Sequence, residues 1–212
     1  MVGRSETLIS GDIRTDPALR DNTIVVICSD NGPEPGAGSA GPFRGHKTNM
    51  YEGGIRTPLF MRWPGGIAPG TQRADVTGHL DIFSTIAAAA GAAVPRDRTI
   101  DSENILAGPA SRAAMFWRSG DYRVVRAGDW KLQVNEKQRK AWLYNLAADP
   151  TETTNLIARN PAKRAELEAL LAAHHRGRTA PLYPSTFDMP VMIDRTLADR
   201  FSPEAEYIYW PN

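Results

Sequence analysis

Thr23-Ile-Val-Val-Ile-Cys28, followed at once by Ser29-Asp30-Asn31-Gly32, is the stretch from which the fold is read. A turn at Asp21-Asn22 launches a short unbroken run of mostly β-branched residues. Such a run predicts a strand buried on both faces, as in a mainly parallel sheet covered on both sides, and so an α/β fold. Inside that strand Cys28 is expected to be a buried structural thiol. In open α/β sheets functional groups gather at the carboxyl ends of strands. Asp30 and Asn31 therefore stand where chemistry is expected.

Downstream, residues 32–45 hold five glycines and three prolines, too many for a helix, and predict a long binding-type loop. Leu59 to Trp63 is the next strand candidate, closed by Pro64-Gly65-Gly66. Asp81 is placed to cap a helix through about Ala90, with Gly91 as its stop. The alanine-rich stretch Ile82–Val94 reads as buried helix. From Ala113 the texture changes to short strand-like segments at Ala113–Arg118, Tyr122–Arg126, Trp130–Val134 and Trp142–Leu146, which predict an antiparallel meander. Asn160 and Pro161 start a second helix with Leu167, Leu170, Leu171 and His174 on one face, stopped by Gly177. The proline- and aromatic-rich end predicts an extended tail. The expected division is 1–110, 111–180 and 181–212.

Bulk properties exclude several classes. Of 212 residues, 42% are hydrophobic and 23% charged, a globular balance. A net charge of +1 provides no basic stripe for nucleic acid. No apolar run approaches the ~20 residues of a membrane span. Met1 to Glu6 has no apolar segment or cleavage pattern, so no signal peptide is read there. The single cysteine excludes an internal disulfide framework.

The adjacent side-chain oxygens of Asp30 and Asn31 suit one hard cation, calcium or magnesium, although an Asp-Asn-Gly turn without chemistry has the same sequence. Lys47, after the glycine-rich loop, is either a point charge for a tetrahedral oxyanion or a solvated surface lysine. Glu52-Gly53-Gly54 is a turn, with Arg56 a partner for Glu52. His46 is either a substrate contact or a loop histidine without an active role.

Taken together, Ser-Asp-Asn-Gly at a strand end and Phe43-Arg-Gly-His-Lys-Thr-Asn-Met-Tyr-Glu-Gly-Gly-Ile-Arg-Thr-Pro58 resemble the sulfatase family, within the alkaline-phosphatase-like superfamily. Further resemblance lies in Gly78–Ile86, Tyr122–Leu132, Leu143–Leu156 and Tyr207–Asn212. It covers nearly everything from residue 23 onward and matches the C-terminal portion of the family. It implies that Asp30 and Asn31 are cation ligands, usually for calcium, and that Lys47 contacts the oxygens of a sulfate ester. The implied fold is the C-terminal part of a mainly parallel sheet sandwich, plus a small antiparallel sheet with a packed helix.

The departures from the family pattern are as specific. Sulfatases attack with a formylglycine made from the cysteine or serine of a C-x-P-S-R-type motif, which this sequence lacks. The family's paired N-terminal aspartates and its upstream His and Lys are missing as well. These absences imply an isolated chain that is inactive and a missing N-terminal half as its partner. The rivals are a non-catalytic remnant and a related phosphoesterase or phosphonate hydrolase, with the R-G-x-K and E-G-G-x-R segments favouring a sulfatase over the latter.

Overall fold

The computed structural model describes residues 15–176, 178–180, 182–183, 186–194 and 204–211. The expected stop at Gly177 and most of the weakly patterned N-terminal stretch lie outside them. The chain forms two compact units. The first holds the described residues up to Asp30 together with Pro58–Ser111, and the second holds Asn31–Thr57 and the residues from Arg112 onward.

In the first unit, helix α1 (Pro17–Asp21) is capped by Asp16, whose carboxylate accepts from Ala18 N at 2.9 Å. Strand β1 (Val25–Cys28) pairs antiparallel with β2 (Leu59–Arg62), Val25 opposite Arg62 and Cys28 opposite Leu59. The α/β character read from the sequence holds, but the ladder this strand makes among the described residues is antiparallel rather than parallel. Among the described residues β1 pairs with β2 alone, and none of its side chains is fully buried. Ile27 is 63% exposed, its cross-strand partner Phe60 is 65% exposed, and the Cys28 thiol is exposed instead of buried. An apolar run records the capacity to be covered; the cover itself is tertiary.

Helix α2 (Glu52–Ile55) belongs to the second unit; helix α3 (Asp81–Ala89), of the first, also departs from expectation. Asp81 is its first residue, not its cap, and its two carboxylate oxygens accept from Gly78 N and Glu103 N, each at 2.9 Å. The Thr85 hydroxyl donates to Asp81 O at 2.6 Å and accepts from Ile105 N at 3.1 Å. The buried residues of α3 are therefore Asp81, Ser84 and Thr85, while Phe83 and Ile86 face solvent. Gly91, at φ +67°, follows the helix in the left-handed conformation that ends helices cheaply.

The 105–110 segment is clasped to Arg73 and Asp75. Arg73 donates to the carbonyls of Ile105 and Gly108, and Asp75 Oδ2 accepts from Ala110 N at 2.9 Å. The Arg73 hydrogen bond holds the Asp75 carboxyl down at about 2, with Ala110 N–H adding to it. A depressed carboxyl contributes stability above its ordinary pKa, which is lost as pH falls through its folded value. Acid unfolding of the first unit should steepen between roughly pH 4 and pH 2. In Asp75→Asn that limb should flatten, measured as urea midpoint against pH.

The second unit centres on an antiparallel meander of β3 (Met115–Ser119), β4 (Tyr122–Ala127), β5 (Trp130–Asn135) and β6 (Lys140–Asn145), in that order across the sheet. Helix α4 (Pro161–His175) lays Leu167 and Leu171 against Val125, Leu132 and Leu143 on one face. Asn160 occupies the cap position, but its amide donates to Leu156 O instead of capping. His174 stacks on Phe116 with centroids 3.8 Å apart. The tail holds β7 (Asp188–Met192) and β8 (Tyr207–Pro211), which pair antiparallel. Ile193 and Ile208 are buried with Tyr51, Tyr122, Trp142 and Tyr144. Leu167→Ala should cost about 2–5 kcal/mol of second-unit stability, and Leu170→Ala, only partly buried, clearly less, as read by denaturant titration.

Candidate functional site

The segment 31–57 is wound around a backbone hub at Gly53-Gly54. Gly53 N donates to Arg44 O at 2.7 Å, Gly32 N donates to Gly54 O at 2.7 Å, and Lys47 N donates to Pro33 O at 3.0 Å. Only glycine allows these approaches. A Cβ on Gly32 would sit 1.9 Å from Gly53 O, one on Gly53 2.3 Å from Gly45 O, and one on Gly54 2.0 Å from Asn49 O. Thr48 is held at φ +78°, unusual for a β-branched residue, immediately after Lys47.

This winding brings the Asn31–Pro33 stretch alongside Lys47 through their main chains. Asn31 is half-buried and Lys47 exposed. The Lys47 ammonium pairs with Glu34 at 2.9 Å, both side chains about half exposed. A contact this exposed is worth little to stability. Asp30 is exposed and ends the first unit, and the peptide bond joins it to Asn31. Both residues offer side-chain oxygens, the donor type that calcium and magnesium take. Among the described residues no three His, Cys, Asp or Glu side chains gather to hold a metal.

His46 has a structural position. Its Nδ1 lies 2.6 Å from Lys47 O and its Nε2 3.2 Å from Met192 O, so the ring ties the loop to β7. Arg44 does the same with greater force. It forks onto Asp194 at 2.8–3.1 Å, reaches Glu206 at 2.5 Å and lies over the Tyr51 ring. Burial works against its charge, but the hydrogen bonds to Asp194 and Glu206 outweigh it and raise the Arg44 pKa further.

Sequence reasoning missed Lys131 and Glu152 beneath the hub, and the burial of Glu52 with them. Glu52, Lys131 and Glu152 are at most 2% exposed. Lys131 Nζ lies 3.0 Å from Glu52 Oε1 and 2.9 Å from Glu152 Oε1. Arg126 adds a contact to Glu52 Oε2 at 3.3 Å, and the expected Arg56 partner is looser at 3.9 Å. Gln133 donates to Glu152 and accepts from the Tyr122 hydroxyl. Burial pushes the Glu152 carboxyl up, and Lys131 pulls part of that back. Asn49 is also buried, its Oδ1 accepting from His46 N while its amide N–H groups have no acceptor among the described residues. The local signal for Glu52 was the Glu-Gly-Gly turn; Lys131 and Glu152 carried none.

Gly53→Ala should therefore dislodge the 31–57 segment while the β3–β6 ladder stays protected, as read by amide exchange. The local cost should be about 1–3 kcal/mol or more. Gly36→Ala, at φ +79° with nothing within 4 Å, should cost only about 1–2 kcal/mol and leave Lys47 in place.

Residues 15–92 match the sulfatase family profile. The chain is 30% identical over 178 residues to a sulfatase of Formosa agariphila, covering 73% of this chain and 32% of that protein. It is 31% identical over 186 residues to an N-acetylgalactosamine-6-O-sulfatase of Bacteroides thetaiotaomicron, covering 72% of this chain and 36% of that one. The chain thus spans about a third of the length of these curated relatives. A solved Bacteroides thetaiotaomicron structure, described under glycosaminoglycan metabolism, aligns with TM-score 0.66 at 28% identity, over 78% of this chain and 42% of that one.

Proposed function

Because the chain belongs to the sulfatase family, whose members are sulfuric ester hydrolases, we propose that it supplies the cation- and oxyanion-binding part of a sulfate ester hydrolase. In this reading Asp30 and Asn31 give oxygens to a divalent cation, calcium by family resemblance. When bound, the cation would polarise the ester and steady the charge that develops on its oxygens. The Lys47 ammonium leaves Glu34 for a sulfate oxygen, and Asn49 offers a buried donor two residues on. The observation that carries the reading is the hub: three glycines without room for a Cβ hold the Asn31 and Lys47 segments together.

The chemistry is completed by residues outside this sequence, where the formylglycine precursor and further cation ligands belong. The first unit is consistent with that partner. Ile27, Phe60, Phe83 and Ile86 all face solvent there, more large apolar surface than a finished sheet ordinarily leaves.

The test assays a chromogenic aryl sulfate with calcium present. The 212-residue chain alone should show no turnover. Co-produced with the upstream coding segment and a formylglycine-generating enzyme, it should turn over. Lys47→Ala should then lower kcat/KM by about 100- to 1,000-fold, the usual loss for one preorganised oxyanion donor. Turnover by the lone chain that disappears in Asp30→Ala would mean an unrecognised nucleophile and defeat this reading. Silence in both arms would favour the non-catalytic remnant.

A further inference from the structure

Three ionisable side chains with almost no solvent contact need a reason. Replacing a buried charge cluster with apolar residues of similar volume is often neutral or stabilising, so Glu52, Lys131 and Glu152 are not explained by holding the sheet together. Their connections point elsewhere. Glu152 is a non-glycine residue at φ +55°, a conformation that turns its carboxylate inward at some cost. One of its oxygens takes Lys131 and Gln133, and the other accepts the Glu52 backbone N–H at 2.5 Å. Lys131 in turn grips the Glu52 carboxylate. The turn is thus held by main chain and side chain at once, and it carries Gly53 and Gly54. From there the bonds run on to Arg44 O and Gly32 N, and Lys47 N closes the set on Pro33 O.

We propose that Lys131 and Glu152 are positioning residues for the oxyanion-binding segment, fixing Lys47 and Asn31 through the Glu52 turn. They touch neither substrate nor cation. The proposal rests on the reading of Lys47 as the sulfate contact. The charges make it specific: two carboxylates face Lys131 and Arg126, so the cluster is balanced. Removing Lys131 alone leaves an excess buried negative charge, and neutralising Glu152 alone leaves an excess positive one. Removing both restores the balance, with Arg126 still on Glu52.

The experiment uses the full chain, its Lys131→Met and Glu152→Gln variants, and the double variant. Amide exchange is followed by NMR, together with a titration of inorganic sulfate read at the Lys47 side chain. Each single variant should speed exchange at Gly32, Lys47 and Gly53 by about tenfold or more while the β4–β5 ladder changes by less than about threefold. The same variants should weaken sulfate binding by a similar factor. The double variant should recover most of both, a non-additivity that packing loss alone does not produce. If Lys131→Met does not fold, Glu152→Gln beside the double variant gives the same comparison. Unchanged exchange at the three amides, uniform acceleration across the ladder, or a double variant no better than the singles would overturn the proposal. If sulfate leaves wild-type Lys47 unmoved but the exchange pattern appears, the sulfate reading fails and the positioning role stands.

Discussion

The backbone N–H of Glu52 finds its acceptor 100 residues further along the chain, in the buried carboxylate of Glu152. Few local alternatives existed. A four-residue helix has no earlier carbonyl to satisfy its first N–H groups, and a buried donor without a partner costs on the order of 1–3 kcal/mol. A carboxylate meets that need, but brings a charge that must itself be met, hence Lys131. Lys131 in turn must be desolvated beside a second carboxylate, hence the Glu52 side chain. Each group in the cluster answers a debt created by another, and the glycine hub rests on the result.

The parts legible in the sequence were those with a local signature. Short strand-like segments separated by turns marked the four-stranded meander. The leucine spacing marked the 161–175 helix, and Pro161 with His174 and His175 marked its ends. The order of Ser-Asp-Asn-Gly, Arg-Gly-His-Lys and Glu-Gly-Gly-Ile-Arg marked the family. Parts set by distant pairing were not legible. Lys131 sits between Trp130 and Leu132 in a strand, where alternation alone leaves its partners undefined, and those partners lie 79 residues before and 21 after it. Ile27 and Cys28 read as covered because the pattern records apolarity, while exposure depends on neighbours. The 82–94 stretch read as a buried helix, yet the buried side chains in it are the polar Ser84 and Thr85, which hydrogen-bond to Ser102 O and Ile105 N.

The same logic explains why His46 and Lys47, adjacent in sequence, differ in character. His46 has both ring nitrogens against main-chain carbonyls and so serves the loop's attachment. Lys47 has a flexible, half-exposed partner in Glu34. Between them the chain divides its work: one side chain secures the segment, and the next makes its ion pair near the surface.

Arg44 reaches Asp194 and Glu206, 150 and 162 residues downstream, and Glu52 waits for Glu152. During synthesis the loop therefore leaves the ribosome well before these three anchors exist. At about 5–20 residues per second the delay is roughly five to thirty seconds. Through that interval five glycines and three prolines between residues 32 and 45 form an unsecured, easily cleaved stretch. The segment is made before the anchors that settle it. In the cell, its integrity depends as much on escaping proteases during those seconds as on the strength of the contacts that finally hold it.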